Sequence, residues 1–187
     1  LTRCALAEGD SPDMPGPEQQ KTLPAPAIRR AAPALLNAAQ IAALARAGQQ
    51  ERAIGAATAA LAAKGLSAEQ RVALLELRAE SHIAVGALDL AGADAQAMHV
   101  LARRNLALQA RAHNCEAQVL ARRGGAKAAV AAATAALKAA RQCQEPALEG
   151  LSLLRLADAH YRTFVGHEKA LENAMRAAAI FERLGDT

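Results

Sequence analysis

The five residues Ala57-Thr58-Ala59-Ala60-Leu61 return unchanged as Ala133-Thr134-Ala135-Ala136-Leu137, 76 residues later. Halving that interval exposes the unit. Gly48, Gly86 and Gly124 stand 38 residues apart, and each is followed five residues on by an alanine: Ala53, Ala91 and Ala129. A fourth copy runs through Gly166 and Ala170, shifted by one residue, so the alanine spacings are 38, 38 and 41. A chain that repeats with such a period folds as successive look-alike units, each burying its apolar face against the next.

Composition says what the unit is made of. Alanine supplies 53 of the 187 residues, and there is no Trp, one Tyr and two Phe. Alanine is the best helix former and loses no side-chain rotamers on folding. Aromatic and β-branched residues, which favour strands, are scarce. Each unit therefore reads as a helix, a tight turn at glycine and a second, antiparallel helix. Glycine suits the turn because the residue after a helix often takes a left-handed backbone. The alanine near the start of the second helix lets two backbones approach closely. The spacing predicts helix pairs at 34–46 with 50–63, 68–85 with 88–104, 107–123 with 126–142, and 146–164 with 167–183. Local signals agree: Gly65 ends one helix, Ser67 and Gln70 form a capping box for the next, and Pro146 sits at a first helical position. Apolar residues keep helical spacing within these spans, as in Leu74, Leu75, Leu77 and Ile83, or Leu151, Leu153, Leu154 and Leu156.

Six of the seven prolines fall between Pro12 and Pro33, and none follows until Pro146. Residues 1–33 thus read as a flexible Pro-rich leader or linker. Residues 34–187 read as the helical repeat domain. Leu184-Gly185-Asp186-Thr187 resembles an inter-repeat turn, so the domain is expected to continue past Thr187.

The formal net charge is +4, with the charges interspersed. A nucleic-acid surface wants a dense basic stripe and aromatics to stack on bases, so no nucleic-acid partner is expected. No apolar run is long enough to predict a transmembrane helix. Cys4, Cys115 and Cys143 lie far apart without a C-x-x-C, which fits reduced thiols and a cytoplasmic setting.

The repeats resemble the tetratricopeptide family. The best match is the last unit: Ala157-Asp158-Ala159-His160-Tyr161, then Gly166-His167-Glu168-Lys169-Ala170-Leu171, then Ala178 through Asp186. Tyr161 is assigned to the place where the family usually has an aromatic in the first helix, with Leu44, His82 and Leu120 as its counterparts. The units here are longer than the family's usual period of about 34 residues. Longer units of this kind resemble the repeat regions of bacterial signalling and regulatory proteins. The resemblance implies an all-α solenoid of about four antiparallel helix pairs, and a scaffold that binds a protein or peptide on its concave face. The partner could also be another domain of the same chain. The alternative it implies is a sensory or regulatory segment of a larger signalling enzyme (a nucleotide cyclase, diguanylate cyclase or kinase) or of a transcriptional regulator.

In arrays resembling this one, the first helix of each pair lines the concave face. Carried over by register, this gives Glu76 and Glu80 from the second unit and Arg111, Asn114, Gln118 and Arg122 from the third. The fourth gives Ser152, Arg155 and Arg162. Such a groove would be acidic at one place and basic-polar over the last two units. Arg can hold a carboxylate bidentately, and Asn or Gln can satisfy a peptide backbone. The expected ligand is an acidic or C-terminal peptide segment. The final helix, with Ala178, Ile180, Phe181 and Leu184, is expected to leave part of its apolar stripe open, which would suit self-association.

Catalytic signatures are missing. There is no H-E-x-x-H, no phosphate-binding glycine loop and no G-x-S-x-G. None of the five histidines pairs with a cysteine or second histidine at ligand spacing; Asp158 and His160, or His113 and Cys115, are two apart and so face different ways on a helix. No enzyme activity, cofactor or metal is expected from the sequence.

Overall fold

The computed structural model of the chain describes residues 36–163 and 166–185. The predicted leader at 1–33 lies outside the described residues. Within them the chain forms eight helices and no strand: α1 (Ala38–Arg46), α2 (Gln50–Leu61), α3 (Ala68–Ala84), α4 (Leu88–Ala102), α5 (Leu106–Arg122), α6 (Ala126–Gln142), α7 (Pro146–Tyr161) and α8 (His167–Leu184).

The helix starts follow from their caps. The Ser67 hydroxyl accepts from the Gln70 N–H while the Gln70 side chain accepts from the Ser67 N–H, and Asn37 with Gln40 does the same ahead of α1. Asn105 caps α5 through the Leu108 N–H. Pro146 opens α7, where its missing N–H has no intrahelical partner to lose.

Three turns are copies of one another. Gly48, Gly86 and Gly124 have φ of +75°, +80° and +81°, a left-handed backbone that disfavours any Cβ. The N–H of the following residue bonds back to the carbonyl of Leu44 (3.0 Å), His82 (2.8 Å) and Leu120 (2.9 Å). The repeated alanines come next: Ala53, Ala91, Ala129 and Ala170 each donate their N–H to the residue just before the second helix. The first three are fully buried and Ala170 is 8% exposed.

The fourth turn departs from this pattern. Arg162 N–H bonds Asp158 O as Ala47 bonds Ala43, Val85 bonds Ser81 and Arg123 bonds Val119. Aligned on that bond, Ala159 stands level with Leu44, His82 and Leu120. Tyr161, expected there, lies two residues further on and is 65% exposed. Gly166 closes the turn because a Cβ there would sit 2.2 Å from the His160 carbonyl oxygen.

Each helix packs on its neighbours in sequence order. The first helices also pack on one another, α1 on α3, α3 on α5 and α5 on α7, whereas among the described residues no two second helices do. Small side chains allow this. Val72, Leu75, Ala79, Ala91, Ala95 and Met98 belong to one buried cluster, and Ala132, Ala133, Leu137, Leu153 and Ile180 to another.

The last helix meets expectation in part: Ala178 and Leu184 are exposed, while Ile180 and Phe181 turn inward. Ile180 is buried, and the ring of Phe181 occupies the space a Cβ on Gly150 would need, 2.9 Å away. Both residues pack inward on α7. The large apolar residues left open at this end are Leu154, Tyr161, Leu171, Met175 and Leu184. Among the described residues, no helix is long and apolar enough to cross a membrane.

Candidate binding groove

The side-by-side first helices bring most of the sequence-nominated residues together, and burial sorts them into three kinds. Glu76 and Arg111 link α3 to α5: Arg111 Nε donates to Glu76 Oε2 at 2.9 Å, and a second guanidinium nitrogen reaches the same oxygen. Glu80 on α3 and Arg155 on α7 approach to 3.9 Å. Two acids and two arginines thus largely neutralise each other, in place of the separate acidic and basic stretches expected. Burial raises the pKa of Glu80 above the usual carboxylate range. Repulsion from Glu76 adds to this, while Arg155 and Arg111 oppose it.

Asn114 and Ser152 are of the second kind. They are 2% and 0% exposed, and Asn114 Nδ2 donates to Ser152 Oγ at 3.0 Å. Read as groove residues from their polarity, they instead join α5 to α7. Cys115 is also buried, and its thiol is pushed up to about 12, by burial first and by Glu76, Glu80 and Asp94 next. It is held as a thiol, not as a nucleophilic thiolate.

The third kind lines a groove of about 660 Å³ between α5, α7 and α8. Gln118 and Arg122 come from α5, Leu154, Arg155 and Tyr161 from α7, and Leu171 from α8. Its lining is mainly apolar, with Arg122, Arg155 and the carboxylate of Asp158 among the polar groups that share it. Arg162 is not among the lining residues and is paired at 3.2 Å with Asp158, a lining residue one turn back on α7. Arg122 is exposed and forms no ion pair among the described residues. The Nε of Arg155 is buried without an acceptor among the described residues.

One cluster escaped sequence reasoning. His99 on α4 meets His113 and Glu116 on α5, with ligand atoms all within 4.8 Å of one another. His99 and Glu116 are 17 residues apart, so only the packing of α4 against α5 reveals them. The His113-x-x-Glu116 spacing, which puts both on one helix face, was the available signal. Comparison of the chain with protein families, with curated proteins and with solved structures finds no match.

Proposed function

We propose that this chain is a tetratricopeptide-type repeat module that holds a peptide segment, supplied by another protein or by another part of its own chain, in the groove between α5, α7 and α8. The order of packing supports the array: first helices touch one another and second helices do not, as expected where the first helices form the inner, concave side of a solenoid.

The observation that carries the binding reading is an apolar groove beside an exposed cation, Arg122, that forms no ion pair among the described residues. Leu154, Tyr161 and Leu171 offer exposed apolar surface for an anchoring side chain. Beside them, among the described residues, the buried Nε of Arg155 lacks an acceptor and Arg122 has no carboxylate partner. A peptide carboxylate, from an acidic residue or a C-terminus, would supply Arg122 with a charge-assisted bond and meet Arg155 through its terminal guanidinium nitrogens, its Nε being closed off. This refines the ligand-gripping set to Gln118, Arg122 and Arg155. The role is binding, without a catalytic centre of its own, and the suppressed ionisation of Cys115 is in keeping with that.

The test uses a panel of C-terminal peptides with an acidic residue beside a Leu or Phe, titrated against the chain by fluorescence anisotropy. A saturably bound peptide should lose at least tenfold in affinity to the Arg122→Ala/Arg155→Ala variant, and amidating its C-terminus should weaken it further. Failure of every peptide to bind, or equal binding by the variant, overturns the reading.

A further inference from the structure

We propose that His99, His113 and Glu116 form a site for one borderline divalent transition ion, with zinc the best fit, that ties α4 to α5 across the junction of the second and third repeats. The three groups converge on a single carboxylate oxygen. His99 Nε2 lies 3.0 Å and His113 Nδ1 3.2 Å from Glu116 Oε2, and the two imidazole rings meet edge to face with centroids 4.6 Å apart. Zinc bonds imidazole nitrogen and carboxylate oxygen at about 2.0–2.2 Å, and a tetrahedral arrangement then spaces its ligand atoms by about 3.3–3.5 Å. Two of the three spacings are therefore within a few tenths of an ångström of a coordination sphere before any ion arrives.

The ligand chemistry selects the class of metal. Two imidazoles and one carboxylate suit zinc and its first-row neighbours. Calcium and magnesium take oxygen ligands and would find one carboxylate here. Each neutral imidazole can present its lone pair from the nitrogen facing Glu116 by carrying its proton on the other ring nitrogen. In the absence of an ion, those same nitrogens can donate to Oε2, which keeps the three groups in place.

The scaffold adds order. His113 and Glu116 are three apart on α5, so one helix face holds both side chains at fixed spacing, and α4 packs directly against that face. All three side chains are about a quarter to a third exposed, so one side of the sphere stays open to water or an incoming ligand. The open side adjoins a recess of about 290 Å³ that Glu116 shares with Asp89, Gln96 and Arg123. At about 100° per residue, His113 and Glu116 lie roughly half a turn around α5 from Gln118 and Arg122. The metal site and the peptide groove therefore use opposite faces of one helix, and neither depends on the other.

The test uses the untagged full chain, stripped with a chelator and titrated with Zn²⁺ by calorimetry and with Co²⁺ by visible absorption. One ion per chain should bind, Co²⁺ should give the intense ligand-field bands of a tetrahedral site, and Zn²⁺ should raise the melting temperature saturably. His99→Gln, His113→Gln and Glu116→Gln should each weaken binding at least tenfold and remove the Co²⁺ bands. His160→Gln, on α7, should change nothing. Metal-free melting curves show whether each variant folds. Should one fail to, the Co²⁺ spectrum of the unaltered chain still decides. Absence of saturable binding in that chain, Co²⁺ bands of an octahedral aquo type, or full binding by a folded His99→Gln/His113→Gln chain overturns the site.

Discussion

Asn114 Nδ2 donates to Ser152 Oγ at 3.0 Å, and the Ser152 hydroxyl in turn donates to the Leu148 carbonyl at 2.8 Å. This short chain of bonds joins α5 to α7 in a place closed to water. Ser152→Ala removes the acceptor and leaves a buried amide unsatisfied, which costs about 1–3 kcal/mol. Asn114→Ala should cost a similar amount. Because the two share one bond, the double variant should lose clearly less than the sum, with a coupling of about 1 kcal/mol in urea unfolding. Strict additivity of the two losses would show that the bond contributes nothing.

The same pair shows where sequence reading stops. Helix positions were legible because glycine and alanine recur at fixed intervals, and the backbone needs of a left-handed turn and a close helix crossing dictate those letters. Six of the eight helices start and end within two residues of the spacing-based spans; α1 starts four residues later than the expected 34, and α7 falls three short at its C-terminal end, where the span reached 164. The fold class followed from this. The fourth turn was legible only in part: the alanine spacing of 41 marked an irregular unit, but not that the connection from Tyr161 to His167 is two residues longer than in the other pairs, which leaves Tyr161 out of its assigned place. Site residues were less legible still. Asn114 and Arg111 carry equally polar letters, yet one is buried between helices and the other faces Glu76. Polarity along a helix gives its direction around the axis, and only the neighbouring helix decides whether that direction is solvent. His99 is the opposite case, a residue with no local partner that acquires two through packing.

Ala91 has no room for a larger side chain. It is fully buried at the start of α4, its N–H bonded to Ala87 O at 3.1 Å. Ala91→Glu would place an unpaired carboxylate among Val72, Ala95 and Met98, members of the same buried cluster. The expected loss is on the order of 3 kcal/mol, read as a large drop in melting temperature. Ala93→Glu, two residues along on the exposed side of the same helix, should shift the curve little. Matching curves for the two variants would contradict the register of α4.

Asp94 is a buried acid that depends on one partner. Arg78 reaches it from α3 through Nε at 3.0 Å and a second nitrogen at 2.5 Å, and also bonds Thr58 on α2 at 3.1 Å. Arg78→Met would leave the carboxylate buried and unpaired, at a cost of about 3–5 kcal/mol. Arg78→Met/Asp94→Leu removes both charges and should recover most of that loss. Chemical denaturation of the parent, single and double variants tests the ordering. A double variant less stable than Arg78→Met would show that the pair stabilises through more than mutual charge compensation.

Cys115 gives the alkaline limb of stability a specific source. Its thiol ordinarily ionises near 9.0, and burial, with Glu76, Glu80 and Asp94 adding and Arg155 opposing, pushes it up to about 12. Between those values the unfolded chain has released a proton that the folded chain retains. Fewer protons on the unfolded state means that stability falls as pH rises through this window, and below pH 9 the group contributes no slope. Cys115→Ala should therefore flatten the loss of stability above pH 9 relative to the parent. The same burial governs reactivity, since the thiolate is the nucleophile. In a Cys4→Ser chain at pH 8, iodoacetamide should modify the half-buried Cys143 first, and Cys115 only as fast as the chain opens. Equal labelling rates at the two thiols, with the helices intact by circular dichroism, would mean that α3, α4 and α5 do not close over Cys115 as described.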